Sequence, residues 1–367
     1  MRIAISGMFW SQPTVGSGQY LDGMLGELAH AAPEHEYVLL LPAYLDDRRP
    51  TTDDQRSAVS SVVAGHLSAI VVSTPFDGRS ENLAKLWFEQ VGVPLAAARL
   101  RADLLHVPYF APPLWAPMPV VATVLDIIPL LLPEYRGRPP VRAYMRLVAR
   151  GARRAAHVIA ISEDSRRDII RWLGCAPERV TTIPLAAGPQ YQPLDRARAA
   201  AHVAERYGLR VPFVYYVGGL DARKNVSTLV RAWARLRSAG GPPAMLAIAG
   251  RALGDDPRLF PDIDALIATL GVADSIRRID VPREDNPLLY NAATAFAYPS
   301  RYEGFGMPPL EAMACGTPAV VAASSSLPEV VGQAALTAPP DDVAAWATAL
   351  WRLLGDRALR DDLRALL

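Results

Sequence analysis

Short apolar runs alternate with amphipathic stretches along almost the whole chain. Strand-like runs are read at Arg2–Ser6, Tyr37–Leu41, Ala69–Val72, Leu104–Val107, Val120–Thr123 and Val158–Ile161. A second series follows a break: Phe213–Val217, Met245–Ala249, Ile276–Ile279, Ala295–Tyr298 and Ala319–Ala322. Between the runs apolar residues recur at helical spacing, as at Leu21, Met24, Leu25 and Leu28. Runs that are apolar on both faces and separated by helices predict parallel sheets covered on each side. Ala186–Leu194, AAGPQYQPL, carries two prolines and a glycine and reads as the connection between the two series. The expected organisation is α/β, with two doubly wound parallel-sheet domains facing across a cleft: residues 1–187, a linker over 188–210, and residues 211–367.

Composition narrows the class. The 367 residues suffice for two or three domains at about 150 residues each. A hydrophobic share of 51% with 20% charged residues excludes a disordered chain. The formal net charge of +1 leaves no overall basic footprint, so no nucleic-acid partner is expected. Cys175 and Cys315 are too few for a disulfide framework or a zinc cluster, which fits a reducing compartment. The apolar stretch of MRIAISGMFW is too short for a secretory leader, and no window reaches the ~18 apolar residues that span a bilayer. A cytoplasmic enzyme is the expectation. Of the 38 cationic residues 36 are arginines; the lysines are Lys85, read as a surface cation on a helix, and Lys224.

Sheets of this kind bind ligands at the carboxyl ends of their strands, so the loops after strands carry the candidates. Pro13–Tyr20, PTVGSGQY, places Gly16 and Gly18 before a helix, where backbone can approach an anion closely. It is a poor dinucleotide fingerprint, because Gln19, Tyr20 and Leu21 stand where a third glycine is needed. In the second series, Phe213–Val217 runs into Gly218, Gly219 and then LDARKN, Leu220–Asn225. Arg223 and Lys224 therefore stand at a sheet edge and a helix start, against the local dipole; phosphate binding supplies a reason. After Ala295–Tyr298 comes SRYEGFGMPPLEAMACGTP, Ser300–Pro318. Gly304 and Gly306 free the loop, Pro308 and Pro309 suit a first helical turn, and Gly316 closes the helix. Glu303 and Glu311 can accept from sugar hydroxyls, and the Gly306–Met307 amides can hold phosphate oxygens.

EGFGMPPLEAMACGTP, with YVGGLDARKN upstream and SSSLPEVVG (Ser324–Gly332) downstream, resembles the retaining glycosyltransferases of family 4, mannosyltransferases above all. The likeness extends through VGSGQY, TVLDIIPLLLPEY (Thr123–Tyr135) and VIAISEDSRRDI (Val158–Ile169) over nearly the whole chain. It implies the GT-B fold, two Rossmann-like domains across a cleft, the second taking the nucleotide sugar and the first the acceptor. It places Glu303 beside the donor sugar, Glu311 on the ribose and Lys224 on the diphosphate. Gly304, Phe305, Gly306 and Met307 hold sugar and phosphates through backbone, and Gly16 and Gly18 close over the donor. Gly218, Gly219, Gly250 and Val281 complete the implied donor set, and Glu303, Lys224, Arg223 and Asp126 the implied catalytic set. A hexose would move from GDP-mannose, or next from UDP-glucose, to a glycan or lipid-linked acceptor in polysaccharide or glycolipid assembly. No metal and no cofactor beyond the nucleotide-sugar substrate are expected, since the leaving phosphate can take the acceptor's proton and no protein nucleophile is needed.

The chain departs from that pattern. Many relatives have His-Asp where Leu125-Asp126 stands; Asp126 keeps its place and the imidazole is absent. His106 ends a neighbouring strand and is read first as a partly buried histidine, second as an acceptor-side candidate. Relatives often carry arginine where Gly219 stands, a charge that Arg223 can supply. The chain stops at RDDLRALL inside a helical pattern, so a truncated chain without the family's final crossing helices is expected. Arg142, Arg146, Arg150 and Arg153 form a basic stripe: a solvated helix face, or a peripheral contact with anionic lipid at the inner face of the membrane. The acidic pairs at 46–47, 53–54, 255–256, 341–342 and 361–362 read as capping or solvated groups. Two other classes stay open: a non-catalytic sugar-nucleotide-binding scaffold, and a nicotinamide-dependent oxidoreductase, which would need a ribose-binding acid where Pro42 follows the second strand.

Overall fold

The computed structural model describes residues 1–12, 15–48 and 67–367. They form two compact units, Met1–Ile183 and Pro184–Leu367. The first unit holds strands β1 (Arg2–Ser6), β2 (Glu36–Pro42), β3 (Leu67–Val72), β4 (Leu104–Val107), β5 (Val120–Val124), β6 (His157–Ala160) and β7 (Val180–Thr182). The second holds β8 (Phe213–Val217), β9 (Met245–Ala249), β10 (Ile276–Ile279), β11 (Ala295–Tyr298), β12 (Ala319–Ala322) and β13 (Ala335–Ala338). The sheet orders are β3-β2-β1-β4-β5-β6-β7 and β10-β9-β8-β11-β12-β13, and every pairing is parallel. Each order runs outward in both directions from a central strand. The loops leaving β1 and β4, or β8 and β11, therefore diverge and open a crevice at the carboxyl edge.

Burial explains why these runs are strands. β11 and β12 are buried at every position and β8 at all but its last, as helices on both faces require. Beneath the second sheet's edge Tyr216 and Tyr298 stack with ring centroids 6.1 Å apart, and Trp233 and Trp346 are fully buried. Truncating either tryptophan to alanine costs about 3–5 kcal/mol. That packing makes a rigid floor for the loops above it.

Two strands escaped the sequence reading. β7 and β13 are short edge strands of three and four residues with only partial burial, too brief to show a period. The segment 188–210 also differs from a plain linker. Its helix Arg196–Tyr207 buries Ala199 and Val203 in the second core, while Leu194 N–H donates to Asn291 Oδ1 at 2.7 Å. Pro189, Pro193 and Gly188 there only shape turns leading into an amphipathic helix. The Asp53-Asp54 pair lies outside the described residues. Among the described residues no helix is long and apolar enough to cross a membrane.

Candidate active site

β8 ends below Gly218 and Gly219, and a short 3-10 turn, Ala222–Lys224, follows. Asn225 then takes a left-handed conformation (φ 56°) and starts the helix Val226–Ser238. Its amide is spent on structure: Nδ2 donates to Pro340 O at 2.7 Å, and Oδ1 accepts from Thr228 Oγ1 at 2.8 Å. This sharp corner turns the side chains before it, Arg223 and Lys224, across the sheet edge toward the loop after β11.

That loop is clamped from two sides. Arg301 N–H donates to Arg223 O at 2.8 Å, joining it to the β8 turn. Glu303 N–H donates to Ser325 Oγ at 2.9 Å, and Ser326 Oγ donates to Glu303 O at 3.0 Å. Glu303 Oε1 consequently sits at the centre of a charged cluster. Lys224 Nζ lies 2.7 Å away, Arg223 Nη1 2.8 Å and the Tyr298 hydroxyl 3.1 Å. Lys224 also donates to Tyr298 Oη at 2.6 Å and stands 5.0 Å from the centre of its ring. Arg223 reaches Tyr302 O at 2.8 Å and Asp221 at 3.5 Å. The Glu303 side chain is 13% exposed. Burial alone would raise its pKa, but Lys224 and Arg223 outweigh burial and hold it at about 2. Burial depresses Lys224, and Glu303 opposes that shift. Two cations and a permanent carboxylate thus meet at the β8/β11 switch point.

Past Glu303, Gly306 has φ 121°, and a Cβ there would meet Leu327 Cδ2 at 2.7 Å, so glycine is required. It opens the helix Met307–Ala314, with Pro308 and Pro309 in the first turn. Gly304 and Phe305 are buried and Met307 is half-buried. Glu311 is 7% exposed and accepts from Tyr290 Oη at 2.9 Å. Burial raises its pKa against that hydrogen bond. The two glutamates therefore differ in chemistry: Glu303 is held as an anion by two cations, while Glu311 is buried among tyrosine donors with its pKa raised. Gly218 and Gly250 both have φ 153°, and a Cβ on Gly250 would fall 1.9 Å from Gly218 O. Their bare backbones let the ends of β8 and β9 touch. Gly219 faces Asp221, whose carboxylate would lie 2.9 Å from an added Cβ. Val281, beyond β10, packs partly buried on the same core.

The remaining candidates lie in the first unit. Gly16 begins the helix Gly16–Ala31 in open space, whereas Gly18 is required because a Cβ would meet Gln12 O at 2.0 Å. Asp126 Oδ1 accepts Ile128 N–H at 3.1 Å. His106 is 8% exposed, at the third position of β4, as its first reading expects. Its Nε2 lies 3.0 Å from Thr123 Oγ1, which lies 3.1 Å from the Tyr20 hydroxyl. Burial pulls its pKa down to about 4, which favours the neutral ring. Arg142, Arg146, Arg150 and Arg153 are all exposed on the helix Pro139–Arg154. Among the described residues no group of three or more His, Cys, Asp or Glu side chains is placed to hold a metal ion. Asp256 and Asp361 pair with nearby arginines, Asp341 with Arg301, and Asp342 caps a helix.

Sequence reasoning missed Tyr298 and the three serines Ser324–Ser326. In the sequence Tyr298 is only the last apolar residue of a strand, although its hydroxyl at a carboxyl edge is an available signal. The serines belong to a familiar motif, but their letters alone do not show the clamp they form.

Residues 202–365 match the family model of the glycosyl transferases group 1, and residues 16–187 that of Glycosyltransferase Family 4. Over 358 residues the chain is 31% identical to the O-antigen chain mannosyltransferase B of Escherichia coli, covering 95% of this chain and 89% of that protein. The chain belongs to glycosyltransferase family 4. It is also 31% identical over 340 residues to the D-inositol 3-phosphate glycosyltransferase of Salinispora arenicola, covering 85% of this chain and 75% of that one. Its fold is GT-B, shared with HepE of Anabaena, a crystal structure in complex with UDP and glucose: TM-score 0.74 at 20% identity, covering 100% of this chain and 94% of that one. This family 4 chain is a nucleotide-sugar-dependent hexosyltransferase, which sets the oxidoreductase and scaffold readings aside.

Proposed function

We propose that this enzyme transfers mannose from GDP-mannose, with retention of anomeric configuration, to a glycan or lipid-linked acceptor in polysaccharide assembly; UDP-glucose is the next donor in order. The observation that carries it is the Lys224–Arg223–Glu303 cluster at the β8/β11 edge. Departure of a nucleoside diphosphate builds negative charge on phosphate oxygens, and fixed cations stabilise that charge without rearranging. Glu303 orients both cations and offers an acceptor to sugar hydroxyls. Glu311 takes the ribose, and the backbone of Gly304–Met307 takes sugar and phosphates. The leaving phosphate deprotonates the acceptor on the same face, with Asp126 on the acceptor side. The identity to a mannosyltransferase supports the sugar. The enzyme needs no metal in this reading, because Lys224 and Arg223 supply the charge.

A thermal-shift screen against GDP, UDP, ADP and their sugars tests the donor, since a ligand that binds only the folded state raises its stability. GDP-mannose should give the largest rise, and transfer from it should persist in EDTA. A rise confined to UDP-sugars would overturn the donor, and activity lost in EDTA and restored by magnesium would overturn the metal-free reading.

A further inference from the structure

Lys224 is one of two lysines against 36 arginines, and the other stands in a similar setting. Lys85 belongs to the helix Glu81–Trp87 with its side chain 40% exposed, as expected of a surface cation, and also places Nζ 3.9 Å from Glu89 Oε1. Glu89 lies one turn on, where the helix widens into a π-turn, Phe88–Gly92. Such turns are often kept for function. The Glu89 side chain is fully buried, and its Oε2 accepts the Tyr144 hydroxyl at 2.7 Å. Lys85 Nζ stands 5.3 Å from the centre of the Tyr144 ring. Lysine, glutamate and tyrosine thus meet here as at Lys224, Glu303 and Tyr298, but without a counterpart of Arg223 among the described residues and with the lysine farther from the carboxylate. Glu89 Oε1 is buried without a hydrogen-bond partner, in ion-pair range of Lys85 and beyond hydrogen-bond reach.

We propose that Lys85, Glu89 and Tyr144 form a proton-coupled latch that positions the carboxyl edge of the first sheet. With Glu89 ionised, Lys85, whose side chain is 40% exposed, draws in on Oε1; with Glu89 protonated, Lys85 is released to water. The titratable groups facing Glu89 are Lys85, Tyr144 from the helix Pro139–Arg154, and Tyr109 just beyond β4; Tyr44, after β2, acts on Tyr109 and Tyr144. Burial raises Glu89 to about 7, with Lys85 and the Tyr144 hydrogen bond opposing. The reach of the latch is set by its neighbours. Tyr109 hydrogen-bonds Ser6 at the end of β1, at 2.8 Å. Gln90, on the same π-turn, accepts Leu114 N–H at 3.0 Å and so holds the loop between β4 and β5. The proposal rests on the first unit alone, and its failure would leave the donor reading untouched.

Hydrogen exchange of the whole chain between about pH 5.5 and 8.5, corrected for intrinsic rates, tests it. Protection of the helices containing Lys85 and Tyr144 should change by about tenfold around a midpoint near pH 7. The step should be absent in Glu89→Gln and should move to higher pH in Lys85→Met and Tyr144→Phe, each of which removes a group favouring the carboxylate. Thermal stability gives the matching sign. A raised folded pKa favours the wild type over Glu89→Gln at pH 4.5 and below, and that advantage fades as pH rises to about 7. A step retained in Glu89→Gln, or none in the wild type, overturns the latch. If Glu89→Gln does not fold, an unmoved midpoint in Lys85→Met overturns it equally.

Discussion

At the scale of single residues, the site turns on Glu303 being an anion that two cations already hold. In the proposed mechanism an incoming diphosphate competes with it for Lys224 and Arg223. Glu303→Gln removes the competitor and leaves both cations buried, which costs about 3–5 kcal/mol of stability. We expect nucleoside diphosphate to bind this variant about tenfold more tightly, equivalent to about 1.4 kcal/mol, while kcat falls about 100-fold or more. Calorimetry and steady-state kinetics separate the two effects; weaker diphosphate binding in the variant would contradict the competition. The sequence made Glu303, Lys224 and Arg223 legible because their types and spacing are unusual at a helix start and beside bare glycines. It did not show Tyr298 joining them, because a tyrosine closing an apolar strand looks like core. For His106 the first reading, a buried strand-end histidine, agrees with its place against Thr123.

At the scale of elements, backbone contact decides more than side-chain type. Gly250 is glycine because Gly218 O occupies the space of its Cβ, at 1.9 Å. Gly240 also has positive φ, 76°, yet has nothing within 4 Å of an added Cβ. Gly240→Ala should cost about 1–2 kcal/mol, the strain of the left-handed backbone alone. Gly250→Ala should cost about 2–5 kcal/mol, since overpacking adds to strain. Thermal denaturation of the pair checks this, and equal melting temperatures would show that β8 and β9 do not need the contact. The central strands were readable as apolar runs because helices bury both of their faces. The edge strands β7 and β13 were not, since each is short and only one of its residues is buried. The helix Arg196–Tyr207 was hidden by the prolines before it, although its buried Ala199 and Val203 keep helical spacing.

At the scale of the whole molecule, a net charge of +1 hides local asymmetry. The exposed stripe of Arg142, Arg146, Arg150 and Arg153 is proposed to hold the enzyme peripherally at an anionic membrane surface, where lipid-linked acceptors reside. Flotation with vesicles containing anionic lipid should recover the protein at low salt and release it at high salt. Recovery that neither salt nor replacement of the four arginines changes would end that proposal. Doubly wound architecture was legible in the alternation of runs, and its switch points follow from sheet order, which no single run reveals. Two switch points give two edges, and the charged cluster is the reason the second is proposed as the donor edge. The decisive measurement is the kcat/KM for transfer from GDP-mannose by Lys224→Ala beside the wild type, with melting temperature as the control for folding. A fall of about 100-fold or more in a folded variant is the predicted result. Wild-type turnover in Lys224→Ala would contradict the assignment of that edge to the donor diphosphate.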